Sequence, residues 1–491
     1  MQTRTFILAS CLVIRAQAMT IRVPGDYPTI QDGISAAVDG DLVLVDSGTF
    51  SERLNFLGKA ITVQGTGSTQ TVVDAGALAS VATGGVVVFE SGEGPNSILR
   101  NIGITGGWAT VRGGGISCTE TSPTLIECDI YGNLAGVPGS RGTAASGGGI
   151  DAFQSEVTLL NCSIVNNTVF GRYFSSGGGV DCYLASPTIM GCLIESNVAD
   201  EGGGLRFAGS TGEHPGSVAH CSIKYNGPGS TAGGGVYLYG TSPSFTDCDI
   251  SENAVEAQRW SANGGGIYCG GEEAAPTFLR CNISANQINS NWGDVLGGGI
   301  YINESAPRFL NCNITDNRSE YAGAISASNQ SNPEFTNCLI ARNYGERAMG
   351  GIKISWQSSV RLVNTTLVEN SCPSQEGAIT ILSGRCSIEN SILWGNSGPG
   401  ISADAPQNVS FSNVEGGYPG PGNLDQDPIF ISRGDYNYAL APGSPCIDTG
   451  TGGNDGFRWD RVSPYYARHN RRLPDMGAYG GPLNKDWILR P

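Results

Sequence analysis

Asp151 and Asp181 are the pair in this 491-residue chain whose type and spacing best suit acid–base chemistry. Each follows a glycine triplet and one aliphatic residue, GGGID and GGGVD. If successive repeats stack as β-strands, the two backbones lie ~4.8 Å apart. Retaining glycosidases hold two carboxyl groups ~5–5.5 Å apart, one as acid and one as nucleophile. A shared proton or a bound Ca²⁺ would relieve the repulsion in the same place. Arg206 and Lys353 occupy the equivalent position of later repeats. Arg206 could neutralise one carboxylate, and Lys353 is the one lysine on that face able to serve as a base. The candidate catalytic residues are therefore Asp151, Asp181, Arg206 and Lys353, and Asp151 with Asp181 is the sole Ca²⁺ candidate. A solvated or ion-bridged pair with no chemical role explains the same residues. No other metal site is expected, because His214, His220 and His469 are the only histidines.

The same position is aromatic in the repeats between. Reading on from Arg206 it is Tyr237, Tyr268 and Tyr301, then Ser326. Two residues further along each strand stand Phe153, Tyr183 and Tyr239. Period two places both sets on the outer side of a strand. The segments before each glycine triplet add Arg141, Arg172, Tyr173, Phe174, Arg259, Trp260, Trp292, Asp294, Tyr321 and Arg347. Rings along an extended face suit stacking against sugars, and flanking charged groups suit hydroxyls or uronate carboxylates. The candidate ligand-binding residues are Phe153, Tyr173, Tyr183, Tyr237, Tyr239, Arg259, Trp260, Tyr268, Trp292, Tyr301 and Tyr321. A tyrosine ladder that only stabilises neighbouring strands is the structural alternative.

The element that must position these residues is the repeat itself. C-x-I-x-x-N recurs with Cys128, Cys162, Cys192, Cys221, Cys248, Cys281, Cys312 and Cys338, then with Thr365 and Ser391 in the Cys place. The Asn is constant: Asn133, Asn167, Asn197, Asn226, Asn253, Asn286, Asn317, Asn343, Asn370 and Asn396. Pro123, Pro187, Pro243, Pro276, Pro307 and Pro333 stand five residues before their cysteines. One such unit cannot bury its own apolar side, so units must stack, and like positions become columns. Each Asn is expected to take the left-handed backbone region and to bond its copies above and below. This predicts an all-β chain: a single right-handed parallel β-helix solenoid of about 11 or more coils, with a cap at each end.

Composition agrees. Glycine is 73 of 491 residues without a collagen period, and charged residues are 15%. The net charge of −16 argues against nucleic acid or an anionic membrane as partner. Arg4, the apolar run Thr5 to Ile14 and the small-x-small site Ala16-Gln17-Ala18 read as an export signal. Leu8-Ala9-Ser10-Cys11 offers a lipoprotein box as the alternative. No other stretch could span a bilayer as a helix. The expected divisions are a signal peptide at 1–18, an N-terminal cap and first coils at 19–95, repeats at 96–411, and a C-terminal cap at 412–491. Within the first cap, Ile30 to Val38 is expected to form a lid helix, with strands at Leu42 to Val45 and Ala60 to Val63.

Three stretches carry a resemblance. PTIQDGISAAVDGD with GTFSE and KAITVQG, at 28–65, is similar to the N-terminal cap of bacterial right-handed parallel β-helix proteins of the pectin-lyase-like type. DQDPIF, YNYALAPGSPCIDTG and DMGAYGG resemble the tails of secreted members. The GGG-[IV] and x-x-N pairing more loosely resembles polymorphic outer-membrane protein repeats. The resemblance implies fold and export and leaves activity open, since this fold hosts lyases, hydrolases, esterases, adhesins and inert spikes. The chain lacks the GHG and NTD of polygalacturonases, the W-x-D-H of pectate lyases, the DPH of mannuronan epimerases and the DFIFG of pectin methylesterases.

Fifteen cysteines in an exported chain would ordinarily suggest disulfides. Here the eight of the C-x-I-x-x-N column, and Cys118, Cys182 and Cys269, fall on two inward positions, where free thiols filling a narrow core are expected. Cys372 with Cys386 is the best candidate bridge. The expected protein is a secreted or cell-surface monomer without a required cofactor. It would bind a polysaccharide or other extended polymer on its aromatic face. A lyase or hydrolase on the same face, or a passive spike or adhesin, are the alternatives.

Overall fold

The computed structural model describes residues 18–76, 78, 84–137, 144–171, 175–209, 215–227, 231–256, 262–289, 295–433, 436–451 and 475–479. Among these, the chain winds into three long parallel sheets of 15, 14 and 13 strands. The first sheet takes the strand just before each Cys, such as Thr124–Ile126 and Thr158–Leu160. The second takes the strand just after it, such as Asp129–Tyr131 and Ser163–Val165. The third takes the strand after each glycine triplet, such as Ile150–Phe153 and Val180–Tyr183. The fifteen-stranded sheet begins at Thr20–Val23 and ends at Asn408–Ser410. At ~4.8 Å per rung the rod is about 70 Å long. It is a right-handed parallel β-helix, longer than eleven coils because residues of the first cap already supply rungs.

Register makes the sequence columns into columns in space. Ile150, Val180, Leu205, Val236, Ile267, Ile300 and Ile325 pair in succession. All seven side chains lie in one continuous apolar core. That core also holds a ring stack the sequence reading missed: Phe245, Phe278, Phe309 and Phe335, with centroids 4.9, 4.7 and 4.9 Å apart. The signal was available, as the residue three before Cys248, Cys281, Cys312 and Cys338 is Phe each time.

The asparagines form a buried ladder. Asn253 Nδ2 donates to Asn286 Oδ1 at 3.0 Å and to Ile223 O at 2.9 Å, and Asn253 Oδ1 accepts from Asn226 Nδ2 at 3.1 Å. The left-handed conformation is not on the Asn, however. It falls on the residue before: Gly132, Asn166, Ser196, Tyr225, Glu252, Ala285, Asp316, Arg342, Glu369 and Gly395 all have positive φ. The bend at that residue turns the following side chain inward, and a buried amide there saturates its donors on the next coil.

The thiols act as donors as well as filling. Cys338 Sγ lies 3.4 Å from both Phe309 O and Thr336 O. Thr365 Oγ1 repeats the pattern at 3.2 and 3.1 Å to Phe335 O and Val363 O. A hydroxyl therefore replaces a thiol in this column without loss of a bond. The 14 described cysteines are all free. This corrects the expected Cys372–Cys386 bridge: Cys372 Sγ instead meets Ser374 Oγ and Glu376 O, each at 3.5 Å.

The N-terminal lid is helix Ile30–Ala36, two residues shorter than expected. Ala37 is already extended, with Val38 exposed beyond it. Thr29 caps the helix by accepting from Asp32 N, and the Glu52 carboxylate accepts from Ile30 N and Gln31 N at 2.9 and 3.0 Å. Lys59 Nζ closes the other end on the carbonyls of Ile34, Ser35 and Ala37. Opposite charges at the two helix ends complement its dipole. Strand Leu42–Val45 stands as expected, and the next runs Thr62–Gln64 rather than Ala60 to Val63. At the other end, the tail lies along the flank of the second sheet. Phe430, Tyr438 and Tyr479 pack on Leu339, Ala341 and Val368, and Tyr438 Oη donates to Glu369 Oε2 at 2.7 Å.

Candidate functional site

The outer face of the third sheet is built by what happens before each glycine triplet. After the ladder Asn the chain leaves the coil as a short strand, then returns as another. Small apolar clusters hold these stems together, Ala135, Ala145, Val169 and Ala199 in one and Val255, Ala262, Ile288 and Val295 in the other. The first glycine of each triplet then bends back sharply, with φ between +61° and +73°. Only glycine fits: a Cβ on Gly147 would lie 2.6 Å from Asp151 Cα and Cβ, and one on Gly177 2.5 Å from the same atoms of Asp181. The returning stem is thereby laid against the outer column of the sheet.

That geometry decides the state of the acid pair. Asp151 and Asp181 are register partners one coil apart, on the outer side of the sheet. Yet each is only 2% exposed. Ser146, on the returning stem, donates to Asp151 Oδ1 at 2.5 Å, and Asp151 Oδ2 has no hydrogen-bond partner among the described residues. Arg206 Nη1 binds Asp181 Oδ1 at 3.0 Å, and Arg206 Nε faces Glu201 Oε2 at 3.3 Å in a contact short of hydrogen-bond alignment. Burial first, then the Asp181 charge, pushes the Asp151 carboxyl up to about 7, against the pull of Ser146, Arg112 and Arg206. Burial raises Glu201 too, opposed by Arg206 and by a hydrogen bond with Tyr237. The cluster can hold a proton on Asp151, but the stem bearing Ser146 lies over that carboxyl.

Beside it the rings form a line. Arg112 lies 4.3 Å from the Phe153 centroid, Phe153 stacks on Tyr183 at 5.9 Å, and Arg206 is 6.0 Å from Tyr183 and 5.8 Å from Tyr237. Tyr237 stacks on Tyr268 at 4.7 Å, and Tyr268 meets Tyr301 at 5.6 Å. The faces of Tyr237 and Tyr268 are thus turned to each other, and Tyr237 and Tyr301 are buried. One ring per rung at this spacing leaves no gap between rings in which a further ring could stack. Tyr183 and Tyr239 are the accessible rings, 40% and 48% exposed. Between them stands Ala208, in register with both and buried. Tyr268 leans across Gly270, where a Cβ would meet ring carbon Cε1 at 2.7 Å.

The structure therefore brings together Asp151, Asp181, Arg206, Phe153, Tyr183, Tyr237, Tyr239, Tyr268 and Tyr301. It places Lys353 five coils beyond Arg206, with Nζ 6.0 Å from the Tyr321 ring, away from the acid pair. Tyr173, Arg259, Trp260 and Trp292 lie outside the described residues, as do Arg141, Arg172, Phe174 and Asp294. Arg112, Ser146 and Glu201 were missed by the sequence reading. Each stands immediately before its glycine triplet, so that column carried the signal. Among the described residues no group of three or more His, Cys, Asp or Glu side chains could hold a metal ion, and no helix is long and apolar enough to cross a membrane.

No curated protein matches the chain. Among solved structures it is similar to pectate lyase Pel9A, at 12% identity and TM-score 0.35, over 95% of this chain and 97% of that one. It is also similar to the pectin methylesterase from Aspergillus niger, at 14% identity and TM-score 0.24, over 70% and 85%. A third is the Siphovirus 9NA tailspike receptor binding domain, at 13% identity and TM-score 0.27, over 84% and 78%. The family model described as right handed beta helix region matches residues 54–253, 188–372 and 234–415. Those matches together run from 54 to 415 across the stacked coils, and the chain belongs to the right-handed β-helix family.

Proposed function

We propose that this is an exported or cell-surface β-helix that binds an extended polysaccharide along the outer face of its third sheet. The observation that carries the reading is the pair of exposed rings, Tyr183 and Tyr239, two coils apart across the small residue Ala208. Two rungs span about 10 Å. A shallow notch of that length, with a ring at each end, suits contact with consecutive sugars of one chain. Export rests on the basic, apolar and small-residue pattern at Arg4 to Ala18, of which residues 4–17 lie outside the described structure.

A glycan hydrolase on the same face is the second reading, and Asp151 favours it. A carboxyl raised to about 7 beside a carboxylate bound to Arg206 has the properties of a general acid. The stem carrying Ser146 would have to lift before a substrate oxygen could reach it. Binding needs no such movement, so it is the preferred function.

Titration calorimetry against a panel of soluble polysaccharides tests the proposal. Tyr183→Ala and Tyr239→Ala should each weaken binding by roughly fivefold, as the loss of ~1 kcal/mol of ring contact implies. Both side chains are exposed, so the variants should keep the wild-type circular dichroism. Equal affinity of wild type and the double variant would overturn the assignment.

A further inference from the structure

Resting on the polysaccharide reading, we infer that the polymer is an uncharged glycan and not a polyuronate. The outermost column of the third sheet carries no charged side chain over six consecutive coils: Phe153, Tyr183, Ala208, Tyr239, Gly270 and Asn303. The cation nearest to its exposed rings is already engaged. Arg206 has one carboxylate at 3.0 Å and another at 3.3 Å. Recognition of a uronate carboxylate needs an open guanidinium fork, which offers two parallel donors. Arg206 instead points Nη1 at Asp181 and Nε toward Glu201. Arg112 faces the Phe153 ring, and its charge acts on Asp151.

The segments between each ladder Asn and the next glycine triplet do not supply the missing charge. Arg141 and Arg172 are outweighed by Asp200, Glu201 and Asp294, and Glu256 cancels Arg259. The whole chain, at −16, repels a polyanion at long range. What the column does offer is neutral: the exposed rings of Tyr183 and Tyr239, and an Asn303 amide whose Oδ1 accepts from Asn329 Nδ2 at 2.7 Å. Such groups match hydroxyls and the apolar faces of sugar rings.

Calorimetric titration with a soluble mixed-linkage β-glucan, a galactomannan and polygalacturonate, at about 20 mM and about 500 mM NaCl, decides the matter. A neutral polymer should bind with an affinity that changes by less than about twofold with salt, and polygalacturonate at least tenfold more weakly. Glu201→Gln leaves Arg206 with a single carboxylate, and should raise polygalacturonate affinity several-fold at low salt only. Tighter binding of polygalacturonate by the wild type, weakening as salt rises, overturns the inference and leaves the polysaccharide reading standing. Failure of all three polymers to bind overturns both.

Discussion

Asp181 and Arg206 meet across one coil at 3.0 Å, and this pairing leaves Asp151, one coil back, without an ion pair among the described residues. Ser146 satisfies one Asp151 oxygen, while the other is buried without a hydrogen-bond partner among the described residues. The group that should carry a charge at neutral pH is therefore held where a charge is least welcome.

The consequence is a falling stability with rising pH. Folding raises the Asp151 pKa from 3.8 to about 7, so the folded state favours the protonated form. That stabilisation is fully present below the unfolded value and is lost as pH climbs through about 7. Denaturant melts at about pH 5 and about pH 8 should differ by on the order of a few kcal/mol, the acid side being the more stable. Asp151→Asn should flatten much of that slope. Some slope should remain, because burial raises Asp200 and Glu201 in the same direction. A variant as pH-dependent as the wild type would remove Asp151 from the account.

Cutting one rung of the ladder should be costly. Asn253→Ala strips Asn226 N and Asn226 Nδ2 of their acceptor and Ile223 O of a donor, all in the interior. An unsatisfied buried group costs about 1–3 kcal/mol, so a loss of about 3 kcal/mol or more is expected in urea unfolding. Hydrogen exchange should quicken first in the coils on either side of residue 253. Wild-type stability in the variant would mean the amides are not joined as described.

The thiol column should tolerate a hydroxyl better than a hydrocarbon. Thr365 already stands in it with the same two carbonyl contacts as Cys338. Cys312→Ser should stay within about 1 kcal/mol of wild type, and Cys312→Val should lose more, since it keeps no donor. Reductant should leave the melting temperature unchanged, because none of the described cysteines is bridged. A drop in melting temperature on reduction would show that covalent links exist after all.

Gly270→Ala is a probe of the ring line. The added Cβ would meet Tyr268 Cε1 at 2.7 Å and its hydroxyl at 3.0 Å, atoms at the far end of a movable side chain. The fold should survive while the Tyr268 ring is pushed aside from Tyr237 and Tyr301. Near-ultraviolet circular dichroism should report the lost stacking, with glycan affinity falling several-fold. An unaltered spectrum would contradict the packing of Tyr268 over Gly270.

What the sequence alone determined is the coil. C-x-I-x-x-N and the glycine triplets give the period, and period two assigns Ile150 and Val180 inward and Asp151 and Asp181 outward, as the register shows. Those are local rules, obeyed by every coil independently, and so they are legible in one dimension. What tertiary structure alone decided is the cover. Facing outward does not mean facing water: the stem bearing Ser146 lies on Asp151, and adjacent tyrosines lie on each other. The left-handed bend at Glu252 rather than Asn253, and the tail fastened to Glu369 through Tyr438, likewise depend on what the neighbouring coil offers. Burial of an outer residue is set by contacts between segments about 30 residues apart or more, which no short-range period encodes.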